Sequence, residues 1–136
     1  MRRELPGGYE LDDDRERIDV VAVHAYVTES YWAKGRSLER MQAAMNGSAR
    51  VIGLYAPDGS QAGFARVISD SATYAYLADV FVLEQHRGNG LGVELVREAV
   101  DSEPWKQMSW HLRTKDAHKL YEKFGFQPPT ERSLER

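Results

Sequence analysis

A glycine-rich segment late in the 136-residue chain carries the clearest chemical signal. It reads Gln85-His86-Arg87-Gly88-Asn89-Gly90-Leu91-Gly92. Glycines permit positive φ angles and let a ligand approach the backbone closely. Free amide groups at the start of a following helix, reinforced by the helix dipole, suit an anion such as a pyrophosphate, and Arg87 could add a charge-assisted contact. A glycine-rich turn without any ligand has the same local pattern.

Two well-known phosphate-binding loops do not fit this segment. A dinucleotide fold requires Gly-x-Gly-x-x-Gly after the first strand, with an acidic residue about 20 positions later. Here Gly88, Gly90 and Gly92 occur late in the chain and no glycine stands at position 93. A P-loop requires Gly-Lys-Ser/Thr, which is missing. The segment therefore matches neither of these two phosphate-binding loops.

A strand predicted at 73–83 precedes the glycines, and a helix follows them. The predicted strand has two largely apolar faces, so we expect a central strand that is covered on both sides. One face carries Tyr74, Tyr76, Ala78, Val80 and Val82, and the other carries Ala75, Leu77, Asp79, Phe81 and Leu83. In the helix, one charged stripe (Glu94, Arg97, Glu98 and Asp101) opposes an apolar surface.

The rest of the chain alternates between the two kinds of periodicity. Helical spacing occurs at 18–26, 38–46 and 117–124, the last ending at Gly125. Strand-like runs occur around Tyr9 and Leu11, at Arg50–Tyr55, at Gln61–Ser69 and at 107–113. A turn signal at 56–60 joins the middle two runs into a hairpin. The order predicts an α/β fold with a mixed, mostly antiparallel sheet and one late crossover.

Two motifs in this order resemble the GNAT superfamily of acetyltransferases. Gln85, Gly88 and Gly90 stand at the defining positions of its acyl-CoA signature, Gln/Arg-x-x-Gly-x-Gly/Ala. Residues 117–126 (Ala-His-Lys-Leu-Tyr-Glu-Lys-Phe-Gly-Phe) resemble its second signature, and residues 77–82 look like its fourth strand. The resemblance covers residues 50–126 and implies a GNAT-like sheet flanked by helices on both faces. Since the chain stops soon after Phe126, we expect the last strand pair of the family to be short or incomplete.

The resemblance implies acetyl-CoA as the acyl donor, without a metal. It implies that the coenzyme is bound by Phe81, Val82, Gln85, Arg87, Gly88, Asn89, Gly90, Leu91, Gly92 and Thr114. Many members of the family have Asn where this chain has Thr114, so this position departs from the pattern. Homodimers are common in the family, and a homodimer is possible here by analogy only.

Two side chains are candidates for catalysis. Tyr121 stands where the family often places a general acid for the departing thiolate, although its helical spacing also fits a core tyrosine. Asp79 lies between Leu77 and Phe81 on the predicted strand, where burial would raise the pKa of the carboxyl and bring it towards the range of a base. An aspartate bonded to a loop amide or to a neighbouring arginine is the alternative.

The acceptor pocket is less well marked. In the family, the segment between the first two helices commonly borders this pocket, which makes Tyr31, Trp32 and Arg36 candidates. His111 on the late strand could also face the substrate. Trp32 packed on the sheet and an ordinary packed His111 are the alternatives, and no histidine has a metal-binding spacing.

Composition excludes several classes of protein. The chain has no cysteine, so disulfides and a cysteine acyl-enzyme are excluded. The net charge of −3 and the absence of a long basic block argue against nucleic-acid binding. Apolar runs are too short for a membrane helix, and the N-terminus lacks a secretory pattern. We therefore expect a cytoplasmic protein whose residues 1–136 form one domain.

Together these features predict an N-acetyltransferase. Direct attack in a ternary complex would move an acetyl group from acetyl-CoA to a primary amine of a small molecule or a peptide. A non-catalytic acyl-CoA-binding sensor or regulatory module is the alternative, since it would keep the glycine loop without needing Asp79 or Tyr121. A nucleotide-binding protein fits the order of the two motifs less well.

Overall fold

The computed structural model describes all 136 residues, Met1–Arg136. Its strands are β1 (Arg2–Glu4), β2 (Glu10–Asp12), β3 (Arg50–Tyr55), β4 (Gln61–Ser69), β5 (Tyr74–Val82) and β6 (Ser109–His111). Its helices are α1 (Val20–Val27), α2 (Leu38–Gly47), α3 (Leu91–Asp101) and α4 (His118–Glu122). The strands form one sheet in chain order, in which only the β5–β6 pair is parallel. The predicted α/β fold is confirmed.

Local signals explain where the helices begin. Asp19 caps α1, because its carboxylate accepts a hydrogen bond from the Ala22 amide at 3.0 Å. Ser37 caps α2 in the same way, accepting from the Arg40 amide at 3.1 Å, although Arg40 cannot complete a capping box. No side chain caps α3, since its N-cap residue is Gly90. The start of α3 therefore exposes bare backbone.

Two cores lie on opposite faces of the sheet. The larger core packs α3 against β2 to β5 and includes Leu54, Val67, Leu95 and Val96. The smaller core packs α1 and α2 against the other face. It contains Val23, Val27, Ala33, Met41, Met45, Val51, Phe64 and Phe81. The helices thus cover both faces of the sheet, as predicted.

A β-bulge in β5 corrects the predicted strand faces. Arg66 pairs with Ala78 but Phe64 pairs with Phe81, so β5 has one extra residue at this point. Asp79 has a φ of 52°, which is rare for a residue other than glycine. Because the extra residue reverses the alternation, Leu77 packs in the larger core and Phe81 in the smaller one. The prediction that these two side chains share a face is wrong.

Both ends of the chain also differ from prediction. The run at Tyr9 and Leu11 does contain a strand, but this strand is β2; the three-residue β1 precedes it and is too short to show a period. The late strand predicted at 107–113 shrinks to β6, and no strand follows α4. Since β6 pairs only with residues Tyr74 to Tyr76, the rest of β5 has no partner on that side. A cleft opens there.

Candidate active site

The glycine loop presents a row of free amide groups to this cleft. The backbone N–H groups of residues 88–93 donate no hydrogen bond, and the first amide of the helix region that does is that of Glu94, which donates to the Gly90 carbonyl. Gly88 and Gly90 have φ angles of 86° and 71°, and a Cβ added to either would meet no atom within 4 Å. This loop can therefore bind an anionic group closely.

The chain around the loop is held in place by side chains. Arg87 donates from Nε to the Val82 carbonyl at 3.0 Å and from Nη2 to the Tyr26 hydroxyl at 2.8 Å. His86 Nδ1 lies 2.9 Å from the Tyr9 hydroxyl. Arg87 thus ties the loop to β5 and α1 and keeps its positive charge beside the free amides.

A cavity of about 940 Å³ extends from this loop along the open edge of β5. Of the predicted coenzyme-binding residues, it is lined by Phe81, Val82, Arg87, Gly88, Gly90, Leu91 and Gly92. Gln85 and Asn89 are exposed and do not line it, and Asn89 Nδ2 donates to the His86 carbonyl at 3.1 Å. The cavity has the size and the apolar walls with few polar groups that are usual for cofactor sites.

A second cavity of about 540 Å³ is lined by part of β5 and by the segment before α4, and Tyr121 lines both cavities. The Tyr121 hydroxyl makes no hydrogen bond within the protein. The fully buried side-chain nitrogen and oxygen atoms without a hydrogen-bond partner are Arg3 Nε and Tyr55 Oη. The Tyr121 hydroxyl is not among them, so it is not fully enclosed by the protein. Burial, then the nearby Tyr31 and Asp116, raise the pKa of Tyr121 to about 12. The side chain therefore presents a protonated phenol where the cavities meet.

Asp79 is buried in the wall of the second cavity within a network of donors. Its Oδ2 accepts from Arg66 Nε at 2.6 Å and from Arg36 Nη1 at 2.7 Å, and its Oδ1 accepts from Trp32 Nε1 at 2.8 Å. Burial pushes the pKa of Asp79 upwards, but the hydrogen bonds and charges of its partners outweigh burial and lower it. The prediction of a raised pKa is wrong, and the alternative of an aspartate bonded to arginine describes this carboxylate.

Three of the four predicted acceptor residues line the second cavity. Tyr31, Trp32 and Arg36 do so, and the Tyr31 hydroxyl accepts a hydrogen bond from the Lys115 amide at 2.8 Å. His111 is exposed and lines neither cavity, because its ring lies beside that of Tyr74, 5.3 Å between centroids. The structure does not bring His111 to either cavity, and a contact with the substrate stays a prediction.

Thr114 lies in the second cavity, apart from the coenzyme residues with which it was grouped. Its Oγ1 accepts a hydrogen bond from the Ala117 amide at 3.1 Å, just before α4 begins. Thr114 therefore holds the turn that leads to Tyr121. This role needs a side-chain oxygen, which Asn at the same position would also supply.

Several residues of the second cavity were missed by sequence reasoning. They are Arg66, Arg113, Lys115 and Asp116. A signal existed for Arg66, because a charged residue between Ala65 and Val67 in a strand with apolar neighbours indicates a buried ion pair. The other three lie in the irregular segment between β6 and α4, where no period marks which side chains face inwards.

The fold agrees with comparisons to known proteins. A family model described as an acetyltransferase (GNAT) domain matches residues 47–128, more than half of the chain. The chain belongs to the GNAT acetyltransferase family. A solved candidate acetyltransferase of the GNAT family from Xanthomonas campestris pv. campestris is 39% identical to this GNAT protein, with a TM-score of 0.87 over 94% of this chain and 92% of that one.

More distant structures share the GNAT fold alone. A candidate acetyltransferase from Deinococcus radiodurans R1 is 20% identical, with a TM-score of 0.74 over 100% of this chain and 94% of that one. Glucosamine-6-phosphate N-acetyltransferase from Arabidopsis thaliana is 15% identical, with a TM-score of 0.64 over 94% and 97%.

A sequence relative, a candidate acetyltransferase of Gibberella zeae, is 28% identical over 89 residues. That match covers 63% of this chain and 50% of the fungal protein, so it spans about half of the relative's length. In the GNAT chain itself, no helix combines the length and the apolar character that crossing a membrane requires.

Proposed function

We propose that this GNAT protein is an N-acetyltransferase that moves an acetyl group from acetyl-CoA to a primary amine of a small molecule or a peptide. The observation that carries the proposal is the position of Tyr121. Its free hydroxyl stands where the cavity beside the glycine loop meets the cavity beside Asp79. A donor and an acceptor bound in the two cavities would bring their reacting atoms to this side chain.

The first cavity fits the donor. The free amides of residues 88–93 suit a pyrophosphate, and the unpaired edge of β5 beyond Tyr76 offers backbone groups to the amides of an extended chain. Phe81 and Val82 lie on that edge and line the cavity. Acetyl-CoA, when bound, supplies an acetyl group that is activated as a thioester.

Tyr121 is the proposed general acid. As the nitrogen–carbon bond to the acetyl group forms and the carbon–sulfur bond breaks, the phenol donates its proton to the sulfur, so that a thiol leaves. A pKa of about 12 keeps this proton on the phenol at neutral pH. The acceptor enters as an ammonium ion, loses one proton before attack and another after it, and one of these returns to Tyr121.

Asp79 is a positioning residue in this proposal. We propose that it does not take the proton of the amine, because both of its oxygens already accept hydrogen bonds and its pKa is lowered. Asp79 instead holds Trp32 and Arg36 against the second cavity. Water is the proposed acceptor of the proton that the ammonium ion loses before attack, and the proton lost after attack returns to Tyr121.

Release of CoA from acetyl-CoA in the presence of a library of amines tests the proposal. We expect release that depends on an amine and yields its N-acetyl product by mass spectrometry. Tight binding of acetyl-CoA without release for any amine would contradict the enzyme and favour the binding module. Absence of acetyl-CoA binding would contradict both.

That residues 1–136 form one cytoplasmic domain stays a prediction.

A further inference from the structure

The second cavity carries more positive than negative charge. Its cations are Arg36, Arg66, Arg113 and Lys115, and its carboxylates are Asp79 and Asp116, which leaves an excess of two positive charges. The whole chain, in contrast, has a net charge of −3. A positive cavity in an acidic protein attracts anionic ligands.

Part of this excess positive charge lies in the buried wall of the second cavity. Arg36 and Arg66 share the single carboxylate of Asp79, whose other oxygen is bound to Trp32. The side chains of Arg66 and Arg36 are only 10% and 19% exposed. Nη2 of each arginine donates no hydrogen bond within the protein. Since a buried charge without a counter-charge is costly, this wall is suited to a further anion.

The rim of the cavity adds two more cations. Arg113 pairs only with Glu135, and both side chains are well exposed, at 64% and 70%, so that this ion pair is weak. The Lys115 ammonium lies 5.7 Å from the centroid of the Tyr31 ring and has no carboxylate partner. Both side chains can therefore turn to a ligand at little cost.

One carboxylate of the second cavity has no ion-pair partner. Asp116 lines both cavities with Tyr121 and forms no ion pair. A ligand with its ammonium group near Asp116 and an anionic group near the cations would complement the charges that line the cavity. Only such a ligand matches both signs of charge.

We propose that the acceptor is a primary amine which also carries an anionic group, a carboxylate or a phosphate. The anionic group binds to the cations of the second cavity, with Arg113 and Lys115 as specificity residues, and the amine lies between Asp116 and Tyr121. This inference rests on the proposed acetyl transfer and names the class of its acceptor. Two N–H groups of an arginine can hold either anion side by side.

Acetyl transfer to matched pairs of amines tests the inference. One pair is 4-aminobutyrate and n-butylamine, and the other is O-phosphoethanolamine and ethanolamine. We expect at least about a ten-fold higher kcat/KM for the anionic member of one pair, the size of one charge-assisted hydrogen bond. The pair with the larger ratio identifies carboxylate or phosphate. Equal use of both members in each pair would overturn the inference while leaving acetyl transfer intact.

Variants locate the effect. In the double variant Arg113→Gln/Lys115→Gln, the preference for the anionic amine should fall several-fold. The control Lys119→Gln/Lys123→Gln removes the same charge from exposed positions outside the cavity and should retain that preference. An unchanged preference in the first variant would contradict the assignment. If no amine supports CoA release, the acceptor role is overturned with the proposed function, and calorimetric titration with 4-aminobutyrate and O-phosphoethanolamine tests the binding site alone. Binding that weakens in the first variant supports the anion site of the second cavity, and no binding overturns it.

Discussion

Asp79 Oδ2 lies 2.6 Å from Arg66 Nε across the β4–β5 pair, at the bulge that gives Asp79 its positive φ. The same oxygen also accepts from Arg36, which lies between α1 and α2. One carboxylate thus connects the sheet to the loop between α1 and α2, which lines the second cavity. The bulge and the cavity wall depend on the same residue.

Replacing Asp79 should therefore destabilise the protein before it affects chemistry. Asp79→Asn leaves two guanidinium groups beside a neutral amide, and loss of one partner of a buried ion pair costs about 3–5 kcal/mol. We expect a fall of this size in the free energy of unfolding at pH 7, measured by urea denaturation. Asp101→Asn, at the exposed end of α3 and without an ion pair, is the matched control and should change little.

The difference in stability between wild type and Asp79→Asn should depend on pH. Because the pKa of Asp79 is lower in the folded state, its stabilisation is fully present above the unfolded value of about 3.9 and is lost as pH falls through the folded value. The difference in unfolding free energy between wild type and Asp79→Asn should shrink below about pH 4. A difference that grows on acidification would contradict the lowered pKa.

The glycine loop can be tested against a turn whose glycine has a similar φ angle. Gly88 and Gly59 have φ angles of 86° and 87°, and neither has an atom within 4 Å of an added Cβ. Gly88→Val and Gly59→Val should thus lose similar stability, on the order of 1–2 kcal/mol. Only Gly88→Val should weaken acetyl-CoA binding, by about 100-fold or more, since its side chain covers the free amides.

Calorimetric titration of both folded variants with acetyl-CoA is the measurement. Gly59 lies in the β3–β4 turn and lines neither cavity, so its variant should keep the affinity of the wild type. Equal affinities in the two variants would remove the loop from the coenzyme site.

The rate should also depend on pH in a specific way. Since burial raises the pKa of Tyr121 to about 12, the phenol keeps its proton well beyond the value of about 10 for an exposed tyrosine. We expect kcat at saturating acetyl-CoA to rise as the acceptor amine loses its proton, with no decline up to about pH 10.5. A decline with an apparent pKa near 10, absent in Tyr121→Phe, would show that the phenol titrates as an exposed tyrosine does.

Local motifs predicted the parts of the site that are contiguous in sequence. The spacing of Gly88 and Gly90 placed a loop before a helix, and the run around Tyr121 placed a short helix ended by Gly125, whose φ is 84°. Each depends on backbone preferences within a few residues. The hairpin of β3 and β4 was predicted with its observed bounds for the same reason.

The incorrect predictions concern features that depend on contacts between residues far apart in the sequence. The strand faces of β5 reverse at Asp79 because of its register against β4, and a period-two pattern cannot show one extra residue when both faces are apolar. The pKa of Asp79 depends on Arg36 and Arg66, which lie 43 and 13 positions away. His111 lies opposite Tyr76 in the β5–β6 pair and lines neither cavity, a placement that the local sequence does not show.

The turnover of Tyr121→Phe tests the central proposal most directly. The change removes one hydroxyl that bonds to no protein group, so the melting temperature should hardly move and acetyl-CoA affinity should stay close to that of the wild type. We predict that kcat for acetyl transfer falls about ten-fold or more, because the leaving thiolate loses its proton donor. Full turnover in a stably folded Tyr121→Phe protein would contradict Tyr121 as the general acid.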